Sequence, residues 1–346
     1  MSHPILPADH VPDSPRPSRD ARCPSLHQAA LAVLMAGALN IPVSARTASY
    51  PAGPDCAAVA RDRVPAVALR ERIAHTANGD IAYYRFGSGS PIVLQTGFRA
   101  SIGEWNADFV HRLAQHHDVI VFDNRGIGRS IPDAARFTVR DMASDLHALI
   151  DALALKDVTV VGWSMGGAVT AQFAIEYPHA ARRIVLMAAP APGSPAARIA
   201  PAVDATLSGT PGTTFDDVMS VLFPSAALPL AERCFRDAMF VPPDYTLPEI
   251  SATVTAGQSS LLRNWSTDAD AARALHRLSL PTLVLAGDDD TVLPPSNAET
   301  LAGTIAGAQL LVVRSAGHAM MFQYPRELAA AIDAFILQSD TRRSDD

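Results

Sequence analysis

The amino-acid sequence predicts an α/β protein in which helices cover both faces of a mostly parallel sheet. Short apolar segments such as residues 91–96, 118–123 and 281–287 alternate with segments such as residues 138–153, where apolar residues recur at helical spacing. Continuous apolar strands are typical of parallel sheets that are buried on both faces. With 346 residues, 48% of them hydrophobic and 18% charged, the chain is long enough for one large domain with an insertion.

The alternating pattern predicts eight strands. The first two form a hairpin, because residues 72–77 and 80–86 flank the turn dipeptide Asn78-Gly79. The other six strands are predicted at residues 91–96, 118–123, 157–163, 182–189, 281–287 and 308–313. Helices are predicted at residues 104–115, 138–153, 168–177, 296–304 and 325–338. These elements assign residues 69–190 and 276–340 to the two parts of one core.

Residues 191–275 interrupt the alternation. This stretch opens with a Pro-rich loop and then contains helix-like segments at residues 214–222, 228–239 and 247–265. Because it lies between two strands of the predicted sheet, we expect a helical insertion that acts as a lid.

The first 45 residues resemble a leader. An apolar run, Ala29 to Val43, is followed by Ser44 and Ala45, a small-x-small pattern that predicts secretory cleavage after Ala45. The run is too short for a stable membrane span, which takes roughly 20 apolar residues. The preceding region is long and carries little net positive charge, so an extra N-terminal helix or a mis-assigned start codon also fits. Cleavage implies a periplasmic or secreted protein, and otherwise the protein is cytoplasmic; residues 46–68 are predicted to be a linker.

Charge and cysteine content exclude several functional classes. The net charge of −7 provides no basic field that would attract nucleic acid. Cys23, Cys56 and Cys234 form neither a disulfide framework nor a metal-binding spacing. Cys56 and Cys234 either pair after leader removal or remain free thiols. No glycine-rich phosphate-binding motif opens a helix after a strand, so neither a nucleotide cofactor nor a metal is predicted.

The strongest motif is GWSMG at residues 162–166, which matches the G-x-S-x-G nucleophile elbow. It lies between an apolar strand and a helical segment, where a nucleophilic serine needs a tight turn and small neighbours. The alternative interpretation is that Ser164 is an ordinary helix N-cap.

With this motif, the chain resembles the α/β-hydrolase family, and the resemblance covers residues 69–340. The family order of nucleophile, acid and histidine implies Ser164, Asp290 and His318 as a catalytic triad. Asp290 follows the penultimate strand, with Asp288 and Asp289 as alternatives, and His318 follows the last strand. The resemblance also implies a sheet of eight strands and a mechanism that needs no cofactor.

Two backbone N–H groups would form the oxyanion hole by the same resemblance, those of Met165 and Phe98. The family typically has His-Gly before the second donor, whereas this chain has Thr96-Gly97, which leaves the support of that loop open. In the turn after the fourth strand, Asp123, Arg125 and Gly128 are expected to be structural.

The surroundings of the serine favour an uncharged acyl substrate. Trp163, Met320 and Met321 are the predicted apolar pocket residues, with plain core packing as the alternative. Arg99 would either bind a carboxylate or be exposed.

The functional hypothesis is a serine hydrolase that cleaves a small carboxylic ester through an acyl-enzyme. A carbon–carbon bond hydrolase or a perhydrolase of the same fold is the alternative, although the longer glycine-rich loop associated with carbon–carbon hydrolases is missing from QTGFRAS. A receptor-like ligand-binding member of the fold is the alternative from another class. The sequence does not predict the oligomeric state.

Overall fold

A computed structural model describes residues 44–50, 69–131 and 136–344. Its strands form one sheet and are numbered along the chain as β1 Ser44–Ala48, β2 Arg72–Thr76, β3 Gly79–Gly87, β4 Ser90–Gln95, β5 His117–Phe122, β6 Thr159–Trp163, β7 Arg183–Met187, β8 Thr282–Gly287 and β9 Gln309–Val313. The strand order is β1-β9-β8-β7-β6-β4-β5-β3-β2. Only β3 pairs antiparallel, with β2 and with β5, and the remaining pairs are parallel. The predicted mostly parallel α/β architecture is therefore confirmed.

The described part of the sheet has nine strands rather than the eight predicted. The additional strand β1 pairs in parallel with β9, with Ser44 opposite Gln309, and it extends across the predicted boundary between Ala45 and Arg46. Its sequence, SARTA, has no run of apolar residues, which explains why hydrophobic patterning did not identify it. The remainder of the predicted leader and residues 51–68 of the predicted linker lie outside the described residues, so cleavage and export stay predictions.

Helices cover both faces of the sheet. They are α1 Ala107–Leu113, α2 Val139–Ala152, α3 Met165–Glu176, α4 Pro201–Leu207, α5 Phe215–Leu222, α6 Leu228–Cys234, α7 Ala252–Trp265, α8 Ala269–Leu275, α9 Ser296–Thr304, α10 Met320–Gln323 and α11 Pro325–Ser344. In the ranges given above, no helix is both long enough and apolar enough to cross a membrane.

The continuous apolar strands are explained by two core clusters, one on each face of the sheet. Val160 belongs to the cluster that includes α2 and α3, whereas its neighbour Val161 belongs to the cluster that includes α1 and α11. Successive strand residues point to opposite faces, so a strand covered on both faces is apolar at every position.

The helical insertion, residues 191–275, contains α4 to α8. The predicted Pro-rich loop is wrong in part, because this stretch includes the helix α4. Pro201 is the first residue of α4, a position whose N–H has no partner within the helix, so proline is tolerated there. The predicted helix at residues 228–239 ends earlier, at Cys234. Cys234 forms a disulfide, and both Cys23 and Cys56 lie outside the described residues, so their pairing stays a prediction. Whether the insertion acts as a lid also stays a prediction.

Candidate active site

Ser164 lies at a strained turn between β6 and α3. Its φ of 57° and ψ of −125° place it in a region that residues other than glycine rarely adopt. The flanking glycines permit this turn: a Cβ on Gly162 would lie 2.3 Å from the Thr170 Oγ1, and one on Gly166 would lie 2.3 Å from the Gln95 carbonyl oxygen. Ser164 occupies the N-cap position, but its side chain makes no capping hydrogen bond, which argues against the ordinary N-cap interpretation.

The loops after β8 and β9 bring Asp290 and His318 to this serine. The Ser164 Oγ lies 2.7 Å from the His318 Nε2, and the His318 Nδ1 lies 2.8 Å from the Asp290 Oδ2. The three residues are only 7%, 2% and 5% exposed. This arrangement can relay a proton from a serine hydroxyl to an imidazole that a carboxylate orients.

Asp290 is distinguished from its two acidic neighbours by its burial and its hydrogen bonds. Its Oδ1 accepts the Val292 and Leu293 N–H groups, each at 2.9 Å, which leaves Oδ2 directed at the histidine. Asp288 and Asp289 are exposed, and the carboxylate of Asp288 accepts the Ser315 N–H instead.

Two side chains fix the loop that carries His318. The Trp163 Nε1 donates to the His318 carbonyl oxygen at 3.0 Å, so this residue supports the loop from the strand next to the serine. Gln323 accepts the Gly317 N–H at 2.8 Å and donates to the Ser315 carbonyl oxygen at 2.9 Å. No sequence motif indicated Gln323.

Met320 and Met321 are fully buried within the core cluster that includes Trp163. Their predicted contact with substrate stays a prediction.

The 96–99 loop follows β4 and passes directly beside Ser164. A Cβ on Gly97 would lie 3.1 Å from the Ser164 Cβ. Within the described ranges, the Phe98 and Met165 N–H groups donate no hydrogen bond. Neither of the predicted oxyanion donors is therefore committed to a hydrogen bond within the described residues.

Thr96, at the position where the family usually has histidine, helps to support the 96–99 loop. Its Oγ1 accepts a hydrogen bond from the Asn124 Nδ2 at 2.8 Å, and the Asn124 Oδ1 accepts one from Gln95. The buried Asn124, which follows β5, thus anchors the loop.

A family model described as alpha/beta hydrolase fold matches residues 90–325. The chain belongs to the α/β-hydrolase family. It is 27% identical over 263 residues to a non-heme haloperoxidase of Rhodococcus erythropolis, covering 70% of this chain and 90% of that protein. It is 27% identical over 266 residues to a 2-hydroxy-6-oxo-2,4-heptadienoate hydrolase of Pseudomonas putida, covering 73% and 91%. A thermophilic esterase from Thermogutta terrifontis is similar in structure, with a TM-score of 0.62 and 26% identity, covering 78% of this chain and 99% of that chain.

The helical insertion of this α/β hydrolase touches the loops that carry the acid and the histidine. Where α5 ends, the Leu222 carbonyl oxygen accepts the Ala319 N–H at 3.2 Å, and the Val221 carbonyl oxygen accepts the Thr291 hydroxyl at 3.1 Å. A Cβ on Gly317 would lie 2.5 Å from the Leu222 carbonyl oxygen, so only glycine fits beside His318 at this packing distance.

Arg99 connects the insertion to the 96–99 loop. Its backbone N–H donates to the Gln258 Oε1 at 2.7 Å, and its guanidinium donates to the Leu207 carbonyl oxygen at 3.0 Å. The side chain is half-buried rather than exposed.

Asp123 connects the same region to a tyrosine of the insertion. Its carboxylate accepts the Ile102 N–H at 2.8 Å and the Tyr245 hydroxyl at 3.0 Å. Burial raises the pKa of Asp123 to about 7; the hydrogen bonds from Ile102 and Tyr245 oppose this rise and the charge of Glu104 adds to it.

Arg125 and Gly128, which lie with Asp123 in the turn after β5, also have structural contacts. Arg125 binds the Asp145 carboxylate through two hydrogen bonds of 2.6 and 2.7 Å. Gly128 has a φ of 56°, and a Cβ there would lie 2.5 Å from the Asp123 Oδ2.

Proposed function

We propose that this α/β hydrolase cleaves carboxylic esters through an acyl-enzyme on Ser164. The observation that carries the proposal is the continuous hydrogen-bonded chain from the Ser164 Oγ through His318 to Asp290, with contacts of 2.7 and 2.8 Å. Two N–H groups without partners in the described ranges lie at the same turn and loop, at Met165 and Phe98. A nucleophile, a base and donors for a developing oxyanion are the requirements of acyl transfer.

In the first half-reaction, the His318 Nε2 takes the proton of the Ser164 hydroxyl while the Oγ attacks the ester carbonyl carbon. The carbonyl oxygen becomes an oxyanion that accepts hydrogen bonds from the Met165 and Phe98 N–H groups. The C–O bond to the alcohol then breaks, and His318 gives its proton to the departing alkoxide. Asp290 holds the imidazole with its proton on Nδ1 and stabilises the imidazolium that forms.

In the second half-reaction, His318 takes a proton from water, whose oxygen attacks the acyl carbon. The collapsing intermediate releases the carboxylic acid, and His318 returns the proton to the Ser164 Oγ. Atoms and charge balance with water as the only co-substrate, so no cofactor is needed.

Ester hydrolysis requires no group beyond those described, and the structural similarity to an esterase supports it. A perhydrolase would use the same acyl-enzyme with hydrogen peroxide in place of water, and the similarity to a haloperoxidase keeps that candidate open. Carbon–carbon bond hydrolysis also stays open, given the similarity to a hydrolase of a hydroxy-oxo-dienoate. The presence of all three residues counts against a receptor-like member that binds without turnover.

The test is a set of initial rates on p-nitrophenyl esters from acetate to palmitate, with the parent and Ser164→Ala. We expect saturable hydrolysis that falls at least about 10⁴-fold in the variant, as for removal of other serine nucleophiles. Ser266→Ala is the matched control, since this buried serine of the insertion donates to the Arg263 carbonyl oxygen, outside the site. Equal rates for the parent and Ser164→Ala would overturn the proposal. Added hydrogen peroxide that yields peracid at the expense of hydrolysis would favour the perhydrolase.

A further inference from the structure

Gln258 of α7 is a fully buried polar residue that reaches the 96–99 loop from the helical insertion. Its Oε1 accepts the Arg99 N–H at 2.7 Å. Arg99 has a φ of 48°, in the left-handed region that favours glycine, so its conformation needs support from its surroundings. Gln258 provides that support next to Phe98, the proposed oxyanion donor.

Two hydrogen-bond donors on the side chains of Gln258 and Arg99 are buried and have no partner within the described ranges. They are the Gln258 Nε2 and the Arg99 Nε. Buried donors are almost always paired in folded proteins, so an unpaired one needs an explanation, and an absent ligand is one. The Arg99 Nε belongs to the residue that follows the proposed oxyanion donor, Phe98, and the Gln258 Nε2 belongs to the side chain that binds the Arg99 N–H.

We propose that Gln258 and Arg99 form a subsite for an oxygen acceptor on the acyl part of the substrate. The inference rests on the proposed ester hydrolysis. The acyl carbonyl oxygen would bind the Phe98 N–H, and Arg99 is the next residue. We accordingly assign the acceptor to a position a few bonds from the scissile carbonyl, such as a hydroxyl or keto oxygen at the second or third acyl carbon.

The charges around Arg99 favour a neutral acceptor over a carboxylate. Glu104, half-buried and hydrogen-bonded to Ser101, lies close enough for its charge to interact with that of Arg99. Burial raises the pKa of Glu104, and the charge of Arg99 opposes that rise. Because the charge of Arg99 already interacts with one acidic group, a second carboxylate would have to be buried with only partial compensation.

The experiment compares three ethyl esters by pH-stat: butyrate, 3-hydroxybutyrate and the monoester of succinate. The parent is compared with Gln258→Met, which removes both polar atoms, and with Gln258→Glu, which keeps an acceptor for the Arg99 N–H. Gln172→Met is the matched control, since Gln172 is also buried without partners but lies on α3. The readout is the ratio of kcat/KM on 3-hydroxybutyrate to that on butyrate, because a displaced loop lowers both rates whereas a lost donor changes the ratio.

We expect the parent to prefer 3-hydroxybutyrate and to cleave the succinate monoester poorly. Gln258→Met should lower the preference about three- to tenfold, the usual effect of one hydrogen bond, and should also reduce kcat on butyrate. Gln258→Glu should recover kcat on butyrate without recovering the preference, and Gln172→Met should keep the parental ratio. A parent without preference, or a ratio unchanged in Gln258→Met, overturns the subsite. Either result leaves Ser164-dependent butyrate hydrolysis standing, whereas its absence would overturn the proposed function instead.

Discussion

The strand-end loops approach Ser164 through close main-chain packing, whereas the helical insertion adds long-range side-chain contacts to the main-chain contacts that α5 makes with the His318 loop. Gly97, Gly162 and Gly166 allow main-chain segments to pass within van der Waals distance of one another around the elbow. The insertion also contributes two side chains, Gln258 and Tyr245, whose partners lie 159 and 122 residues away in the chain. The sheet and its loops thus set the positions of the residues around Ser164, and the insertion adds contacts that support those loops.

The largest effect that tests this comparison is expected from Asp290→Asn. The amide keeps an oxygen for the Val292 and Leu293 N–H groups but turns a donor toward the His318 Nδ1, which favours the wrong tautomer. We expect kcat/KM on p-nitrophenyl butyrate to fall about 10³- to 10⁴-fold, with little change in melting temperature. Asp289→Asn, at an exposed neighbouring position, is the control and should retain parental activity. Equal losses in both variants would contradict the assignment of Asp290.

The next effect concerns pH and the buried Asp123. Its pKa rises from 3.8 to about 7 on folding, mainly by burial, so the folded chain holds a proton that the unfolded chain releases. The stabilisation is therefore complete below pH 3.8 and is lost as the pH rises through 7. At about 1.4 kcal/mol per pKa unit, the loss amounts to about 4 kcal/mol.

Urea unfolding of the parent and of Asp123→Asn between pH 4 and pH 8 measures this loss. We expect the parent to lose stability relative to the variant as the pH rises, because the amide does not titrate. A difference in unfolding free energy that stays constant across this range would contradict the raised pKa.

The backbone side of the comparison is tested by glycine substitutions. Gly166→Ala places a Cβ 2.3 Å from the Gln95 carbonyl oxygen and 2.5 Å from that of Thr96, so we expect a loss of about 3 kcal/mol in stability. Gly303→Ala on α9 meets no atom within 4 Å and should stabilise the protein by about 0.5–1 kcal/mol. Thermal melts should show a lower melting temperature for Gly166→Ala and a higher one for Gly303→Ala. A Gly166→Ala protein as stable as the parent would show that the elbow tolerates a side chain.

Hydrophobic patterning predicted eight of the nine described strands, and the resemblance to the α/β-hydrolase family predicted the residues that meet at Ser164. The elbow is a local motif, and Asp290 and His318 follow strands whose carboxyl ends share one edge of the sheet, so their meeting follows from topology. β1 was missed because its five residues lack an apolar pattern. Gln258 and Tyr245 were missed because nothing local marks a side chain whose partner is more than a hundred residues away.

The smallest effect, Tyr245→Phe, tests whether the insertion stabilises the turn through Asp123. The variant removes two contacts of 3.0 Å between a hydroxyl and a buried carboxylate but keeps the ring, which packs edge-on against Tyr84. We expect a loss of about 2 kcal/mol in the unfolding free energy and a kcat within a few-fold of the parent, because Ser164, His318 and Asp290 are untouched. Tyr84→Phe is the control: its hydroxyl binds the Asp244 carboxylate at 2.8 Å in a less buried setting, so a smaller loss is expected. If Tyr245→Phe costs no more than Tyr84→Phe, the contact with Asp123 does not hold the insertion to the turn. A fall in kcat of a hundredfold or more would show instead that the insertion positions the reacting groups.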